Sequence, residues 1–411
     1  MRILGLMVAI LWAAPGCAVS QERPALVSRI DVSQELASKY LVQKQSPDGA
    51  WRSETYGIFK DGNALTPFVA NAVYFMPDSP VGSKASFAKA VGFVCTLVDD
   101  RGKVKDPASG YDFPVLMAAS ACRILELAGD ASDHIRARRA WMEYLTERRL
   151  SSKLGWSPVD SEFGGWGFAP VLPRKPRDGK ARPQFVESNL VATLFGIMGL
   201  RSGKVPESDP AYAEIMTFVK RCQNFEEFGL NPAAKGADAS FNDGGFFFLP
   251  AKKDDVQNKA GSAGLDSKGE LRFHSYGSMT ADGLRALIRC GLPPDHPRVV
   301  AARKWLERNF SATLHPGVWA PGREALRDAH YYYYAWAVAH AFLALNMREI
   351  ETPNGKVIWA EALAEELIKR QRPDGSWKNR FNDAKEDDPL IATSWAASAL
   401  AICRLNLQRT K

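Results

Sequence analysis

Closely spaced cysteines are missing from this chain. Its six cysteines, Cys17, Cys95, Cys122, Cys222, Cys290 and Cys403, are scattered, so no disulfide framework is legible. Cys290 and Cys403 sit among apolar neighbours and read as buried free thiols; a Cys95–Cys122 pair inside one unit stays open in an oxidising compartment. Charge of one sign is lacking too. Lys and Arg number 53 against 46 Asp and Glu, a net +7 spread along the chain, and no nucleic-acid motif accompanies it, which excludes that partner class. There is no Gly-x-Ser-x-Gly, no His-Glu-x-x-His and no phosphate-cradling loop. Strand-like alternation never runs over helix-like lengths. The apolar run Ile3 to Ala14 behind Arg2 is too short to span a bilayer and reads as the core of a signal peptide over residues 1–20, leaving no transmembrane segment in the mature chain. Two processing routes are open: cleavage after Ala18-Val19-Ser20, or lipidation of Cys17 in the lipobox-like Ala14-Pro15-Gly16-Cys17. The expected location is periplasmic or extracellular, free or lipid-anchored.

What is present is a repeat. Gln45-Ser46-Pro47-Asp48-Gly49-Ala50-Trp51 and Gln371-Arg372-Pro373-Asp374-Gly375-Ser376-Trp377 lie 326 positions apart, each behind an amphipathic helical stretch and each forced to turn by Pro-Asp-Gly. Five spacings between them give roughly 65 residues per unit. Degenerate copies fill the interval: Asp99-Asp100-Arg101-Gly102, Phe163-Gly164-Gly165-Trp166-Gly167-Phe168, Asp243-Gly244-Gly245-Phe246 and the Gly317–Gly322 region with Trp319. Each separates an outer helix from an Ala-rich inner one. The predicted inner helices are Leu65–Phe75, Val115–Leu127, Glu187–Leu200, Thr280–Cys290, Tyr331–Leu345 and Thr393–Leu405. Aligning the fourth and sixth places Thr280 on Thr393 and Cys290 on Cys403. The stretches 169–183 and 251–270 read as long inserted loops, of the kind that act as lids or surface excursions.

The Gln-x-x-x-Gly-x-Trp pattern resembles the repeat of squalene and oxidosqualene cyclases and of protein prenyltransferase β-subunits. The resemblance covers nearly the whole mature chain, with its specificity concentrated in the two end copies. It implies an all-α fold, an (α/α)6 toroid from Val27 to Leu407 whose six inner helices surround a central cavity, in what the N-terminal segment marks as an exported bacterial member. The motif Trp residues of this chain are expected to be clamps between repeats that touch no ligand. The catalytic sets that the resemblance would bring are not found. Class II cyclases protonate an alkene with Asp-x-Asp-Asp-Thr-Ala, and aligning Thr280-Ala281 on its end puts Tyr276, Gly277, Ser278 and Met279 where carboxylates belong. Prenyltransferases hold zinc on an Asp, a nearby Cys and a distant His. Here only Asp328 and His330 can be nominated, short of three protein ligands, so no metal or other cofactor is expected.

Inner helices that run parallel bring their N-termini to one mouth, where unpaired N–H groups and helix dipoles favour negative charge. The candidate catalytic residues there are His330, Asp328, Glu187, Tyr276 and Asp282; the candidate ligand contacts are Asn189, His274 and Tyr331. Asn189 and its like are also what helix N-caps look like, and of the tetrad Tyr331–Tyr334 two residues are expected to face the cavity and two to pack outward. The opposite end, with short returns after Leu200, Gly291 and Leu345, is expected to be plugged by apolar side chains. Two functional classes remain: a module binding a small molecule or an extracytoplasmic protein, and an enzyme acting on a lipid, terpenoid or glycan in the cavity.

Overall fold

The structure, a computed structural model, describes residues 18–77, 82–177, 182–226, 238–250 and 257–409. The lipobox-like segment and the apolar run before it lie outside these residues. In chain order the helices are α1 (Ala18–Gln43) and α2 (Leu65–Tyr74), α3 (Ser83–Thr96) and α4 (Pro114–Leu127), α5 (Ser132–Glu147) and α6 (Leu190–Ser202), and α7 (Pro210–Arg221) and α8 (Gly277–Arg289). Then come α9 (Pro297–Asn309), the short α10 (Glu324–Asp328), α11 (Tyr331–Ala344), α12 (Trp359–Arg370) and α13 (Pro389–Gln408). Proline at N1 starts several of them, behind Asp209, His296 and Asp388, whose side chains accept the first free N–H groups.

α2, α4, α6, α8, α11 and α13 pack in succession, and α13 closes on α2. α1, α3, α5, α7, α9 and α12 form an outer layer against them. The division follows the sequence. Outer α7 buries one stripe, Tyr212, Ile215, Phe218 and Val219, whereas α11 is buried from Tyr331 to Ala339 on every side. α13 is the one described helix long and apolar enough to cross a bilayer; it lies buried against α1, α2, α11 and α12. Two hairpins interrupt the all-helical plan: β1 (Ser262–Leu265), within the stretch 251–270 expected to be a loop, with β2 (Leu271–Phe273) just after it, and β3 (Ile350–Thr352) with β4 (Gly355–Val357).

The motif turns divide the labour differently from the sequence expectation. Each Trp clamps within its own pair: Trp51 Nε1 donates to the Leu41 carbonyl at 2.7 Å, Trp166 Nε1 to Leu145 at 2.9 Å and Trp377 Nε1 to Leu367 at 2.8 Å. Their backbone N–H groups donate to inner-helix hydroxyls, Trp51 to Thr66, Trp166 to Thr193 and Trp377 to Thr393, at 3.0–3.1 Å; Phe246 does the same to Thr280 at 3.0 Å. The bond between units is made by Gln and Gly. Gln45 Nε2 donates to the carbonyls of Gly49 and of Ser86 in α3, both at 2.9 Å; Gln223 repeats this with Gly244 and Arg298 in α9. Gly49 has φ +91°, and a Cβ there would lie 2.4 Å from the Lys89 carbonyl oxygen of the next outer helix, so only glycine permits the approach. Trp319 breaks the pattern. Its indole N–H has no acceptor, and the ring packs instead on Tyr276 at 5.3 Å.

Among the described residues the cysteines are free, Cys95 and Cys122 included.

Candidate functional site

The centre of the ring is filled. Trp395 from α13 meets Phe68 at 4.5 Å, Trp336 at 4.6 Å and Tyr333 at 5.1 Å between ring centroids; Phe195 from α6 stacks on Trp336 at 6.1 Å. These rings leave about 20 Å³ beside Asn71, Ser120 and Arg123, space for about one water molecule. Among the described residues, large aromatic side chains thus occupy the place where the resemblance implies a broad central cavity.

The Tyr tetrad is buried throughout. Tyr331 and Tyr334 donate outward to the carbonyls of Ala312 and Ser311, at 2.6 and 3.0 Å. Tyr333 points inward, donating to Asp282 Oδ2 at 2.5 Å. Asp282 is not at the mouth, where it was expected. It is fully buried one turn into α8, paired with Arg285 at 3.3 Å, and burial pushes its carboxyl up to about 6. A second buried carboxyl, Glu386, was not legible. It accepts the backbone N–H groups of Tyr332 at 3.0 Å and Tyr333 at 2.7 Å and so caps α11 from another unit. Burial raises it to about 8, against those hydrogen bonds.

The open space is elsewhere. A groove of about 440 Å³ lies at the N-terminus of α11, between it and the turn that precedes α13. Tyr331, Tyr332 and Phe381 supply its apolar faces, and Arg370, Lys378 and Arg380 its cations. Arg370 is committed already: it stacks 3.7 Å over the Tyr331 ring, pairs with Glu366 at 2.6 Å and donates to the Thr313 carbonyl. Asp328, also in the lining, is paired with Arg327 at 2.7 Å. Lys378 and Arg380 are exposed, and among the described residues neither makes an ion pair. The groove thus carries uncompensated positive charge beside aromatic surface.

His315, which sequence reading missed, belongs to the groove lining. It is 1% exposed; its Nε2 accepts the Ser278 N–H at 3.0 Å and its Nδ1 lies 3.3 Å from the Arg327 carbonyl. Those partners fix the neutral ring with the proton on Nδ1, and burial lowers its pKa accordingly. His315 stacks on Tyr334 at 5.1 Å and meets Tyr276 at 5.7 Å and His330 at 6.3 Å. His330 hydrogen-bonds the Leu326 carbonyl at 2.8 Å and lies 3.5 Å from Asp383; burial lowers its pKa also.

Of the expected site residues, Asp328 and Tyr331 line one groove, with His330 and Tyr276 packed behind it. Asn189 is a helix cap: its Oδ1 accepts the Ala192 N–H at 2.8 Å. Glu187 and His274, both half-buried, are absent from the groove lining. Burial lowers the pKa of His274.

No family model and no curated protein sequence matches this chain. Its fold is similar to solved structures. The type II terpene cyclase MstE from Scytonema, as a variant bound to its product merosterolic acid A, aligns with a TM-score of 0.55 and 14% identity over 93% of this chain and 99% of that one. Another variant, bound to the substrate geranylgeranyl dihydroxybenzoate, gives 0.54 and 13% over the same shares. A protein from Actinoplanes gives 0.50 and 16%, covering 93% and 99%. At these identities the likeness is one of architecture: the chain has a terpenoid cyclase-like helical toroid fold.

Proposed function

We propose that this protein is an exported ligand-binding or interaction module, which keeps the toroid of terpenoid cyclases without class II cyclase or zinc prenyltransferase chemistry. The observation that carries this reading is the contrast between a centre with about 20 Å³ of space and a groove of about 440 Å³ at the mouth. Support comes also from the repeat register. Thr66, Thr193, Thr280 and Thr393 receive the motif N–H in four units, which makes them equivalent positions. One, two and four residues before each stand Leu65, Ala64, Gly62; Ala192, Val191, Asn189; Met279, Ser278, Tyr276; and Ala392, Ile391, Pro389. None is a carboxylate, so none of these four units presents the acid motif in register. Export rests on Arg2 and the apolar run behind it.

The ligand class follows from the lining. Lys378 and Arg380 favour an anion, and the faces of Tyr331, Tyr332 and Phe381 favour a flat or apolar body beside it. Anilinonaphthalene sulfonate is a suitable probe. It is expected to bind the native protein saturably, and Lys378→Glu with Arg380→Glu to weaken it at least tenfold while the melting curve stays in place. No saturable binding, or undiminished binding by the double variant, overturns the assignment.

Asp282 favours a second reading. A carboxyl held near 6 and hydrogen-bonded to Tyr333 is matched to proton donation at neutral pH. This reading needs the aromatic rings to part and admit a substrate. Turnover of squalene or geranylgeranyl dihydroxybenzoate that Asp282→Asn abolishes would establish it in place of the first.

A further inference from the structure

The end of the ring opposite the groove was expected to be closed by apolar side chains. It is cationic instead. Arg123 in α4, Arg201 in α6, Arg285 and Arg289 in α8 and His340 in α11 all lie in the second halves of the inner helices, which run parallel.

These side chains form one electrostatic group. Arg285, 1% exposed, lies 4.3 Å over the Trp336 ring and 3.3 Å from Asp282, and its Nε has no acceptor. His340 meets the same Trp336 ring at 5.0 Å. Arg201 donates to the Arg289 carbonyl at 2.5 Å and pairs with the exposed Glu207; Arg123 pairs with Glu126 at 2.8 Å. The Arg289 guanidinium is half-buried and makes no hydrogen bond or ion pair among the described residues. Burial, then repulsion from Arg285, Arg123 and Arg201, brings its pKa down to about 9, and burial in the same field keeps His340 neutral.

Four guanidinium groups thus face three carboxylates, and Asp282, the buried one, is the hardest to ionise. The carbonyl ends of the inner helices offset only part of this. Like charge concentrated around the fully buried Arg285, with Arg123, Arg201 and Arg289 partly exposed at the rim, favours a counter-ion that joins it. The adjoining space holds a further orphan, Asn71 Oδ1, buried without a donor beside Arg123 and Ser120.

We propose that this end of the ring is an oxyanion site, independent of the groove, in which Arg289 and Arg123 hold a phosphate-type group and Arg285 supplies buried positive potential behind it. The small space within keeps the bound group at the rim. The phosphate can be free, or be the head of an anionic lipid. The experiment distinguishes the two.

Inorganic phosphate at constant ionic strength, with chloride as control, is expected to raise the melting temperature saturably if the ion is free. Co-sedimentation with phosphatidylglycerol vesicles but not phosphatidylcholine vesicles is expected if it is a headgroup. In either arm Arg289→Gln lowers the apparent affinity at least tenfold, and Arg123→Gln does so as well. Without phosphate, Arg289→Gln melts at or above the wild-type temperature, since it removes a repulsive charge; a guanidinium needed for packing would give the reverse. Absence of saturable binding in both arms, binding unchanged in both variants, or a large fall in melting temperature for Arg289→Gln alone overturns the proposal.

Discussion

Ser33 Oγ donates to Gln371 Oε1 across 338 positions of sequence, at 2.7 Å, and Gln371 Nε2 returns a bond to the Ser33 carbonyl at 2.8 Å. The first outer helix is thereby fastened to the last motif turn. The same amide side chain fastens interior seams, as Gln45 does to Ser86.

Removing the closing amide leaves buried backbone groups without partners, at a cost of about 1–3 kcal/mol. Gln371→Ala is expected to lower the denaturation midpoint by an amount similar to Gln45→Ala. Urea titrations of the two variants check this. A negligible effect at Gln371 with a clear one at Gln45 would mean that the ring is not closed in solution.

The motif indoles bear on stability more than on binding. Trp377 is fully buried and its N–H reaches the Leu367 carbonyl. Trp377→Ala is expected to cost about 3–5 kcal/mol and Trp377→Phe, which keeps most of the ring, about 1 kcal/mol for the lost hydrogen bond. Chemical denaturation separates them, and probe affinity at the groove in the still-folded Phe variant should stay at the wild-type value.

The pair of end motifs was legible because Pro-Asp-Gly with Trp two residues on leaves one backbone solution, and the inner helices follow from their unbroken apolar runs. Even the degenerate fourth unit was legible, since Phe246 keeps the ring and Thr280 keeps the hydroxyl. Trp319 misled because composition carries no geometry: it lies in the right interval but packs on the preceding unit. His315 and Glu386 were illegible for another reason. Their partners are 37 and more than 50 positions away, and each caps a helix it does not belong to. The cationic end was hidden because an Arg near a helix C-terminus normally reads as a dipole partner facing water. Nor does spacing say that Trp336, Trp395 and Phe195 meet at the axis and fill it.

Stability is expected to fall as pH rises through neutrality. Glu386 moves from 4.5 to about 8 and Asp282 from 3.8 to about 6 on folding, so the folded state holds these protons more tightly than the unfolded one. Their contribution is complete below about pH 4 and is lost progressively up to about pH 8. Glu386→Gln should flatten this part of the pH profile of the denaturation midpoint. A wild-type midpoint that climbs steadily from pH 5 to 8, with the variant parallel to it, would contradict the assignment.

Incubation with squalene, with geranylgeranyl dihydroxybenzoate, or with a prenyl diphosphate and a Cys peptide is expected to return substrate unchanged. Mass spectrometry of the extracts detects any cyclised or prenylated product.

The most direct test of where this toroid binds is hydrogen–deuterium exchange with and without anilinonaphthalene sulfonate. Protection is expected in peptides covering residues 328–332 and 378–381, around the groove, with the inner halves of α6 and α13 unchanged. Protection centred on Phe195, Trp336 and Trp395, with the groove peptides unaffected, would show that the ring opens to take its ligand at the axis and would contradict the groove as the binding site.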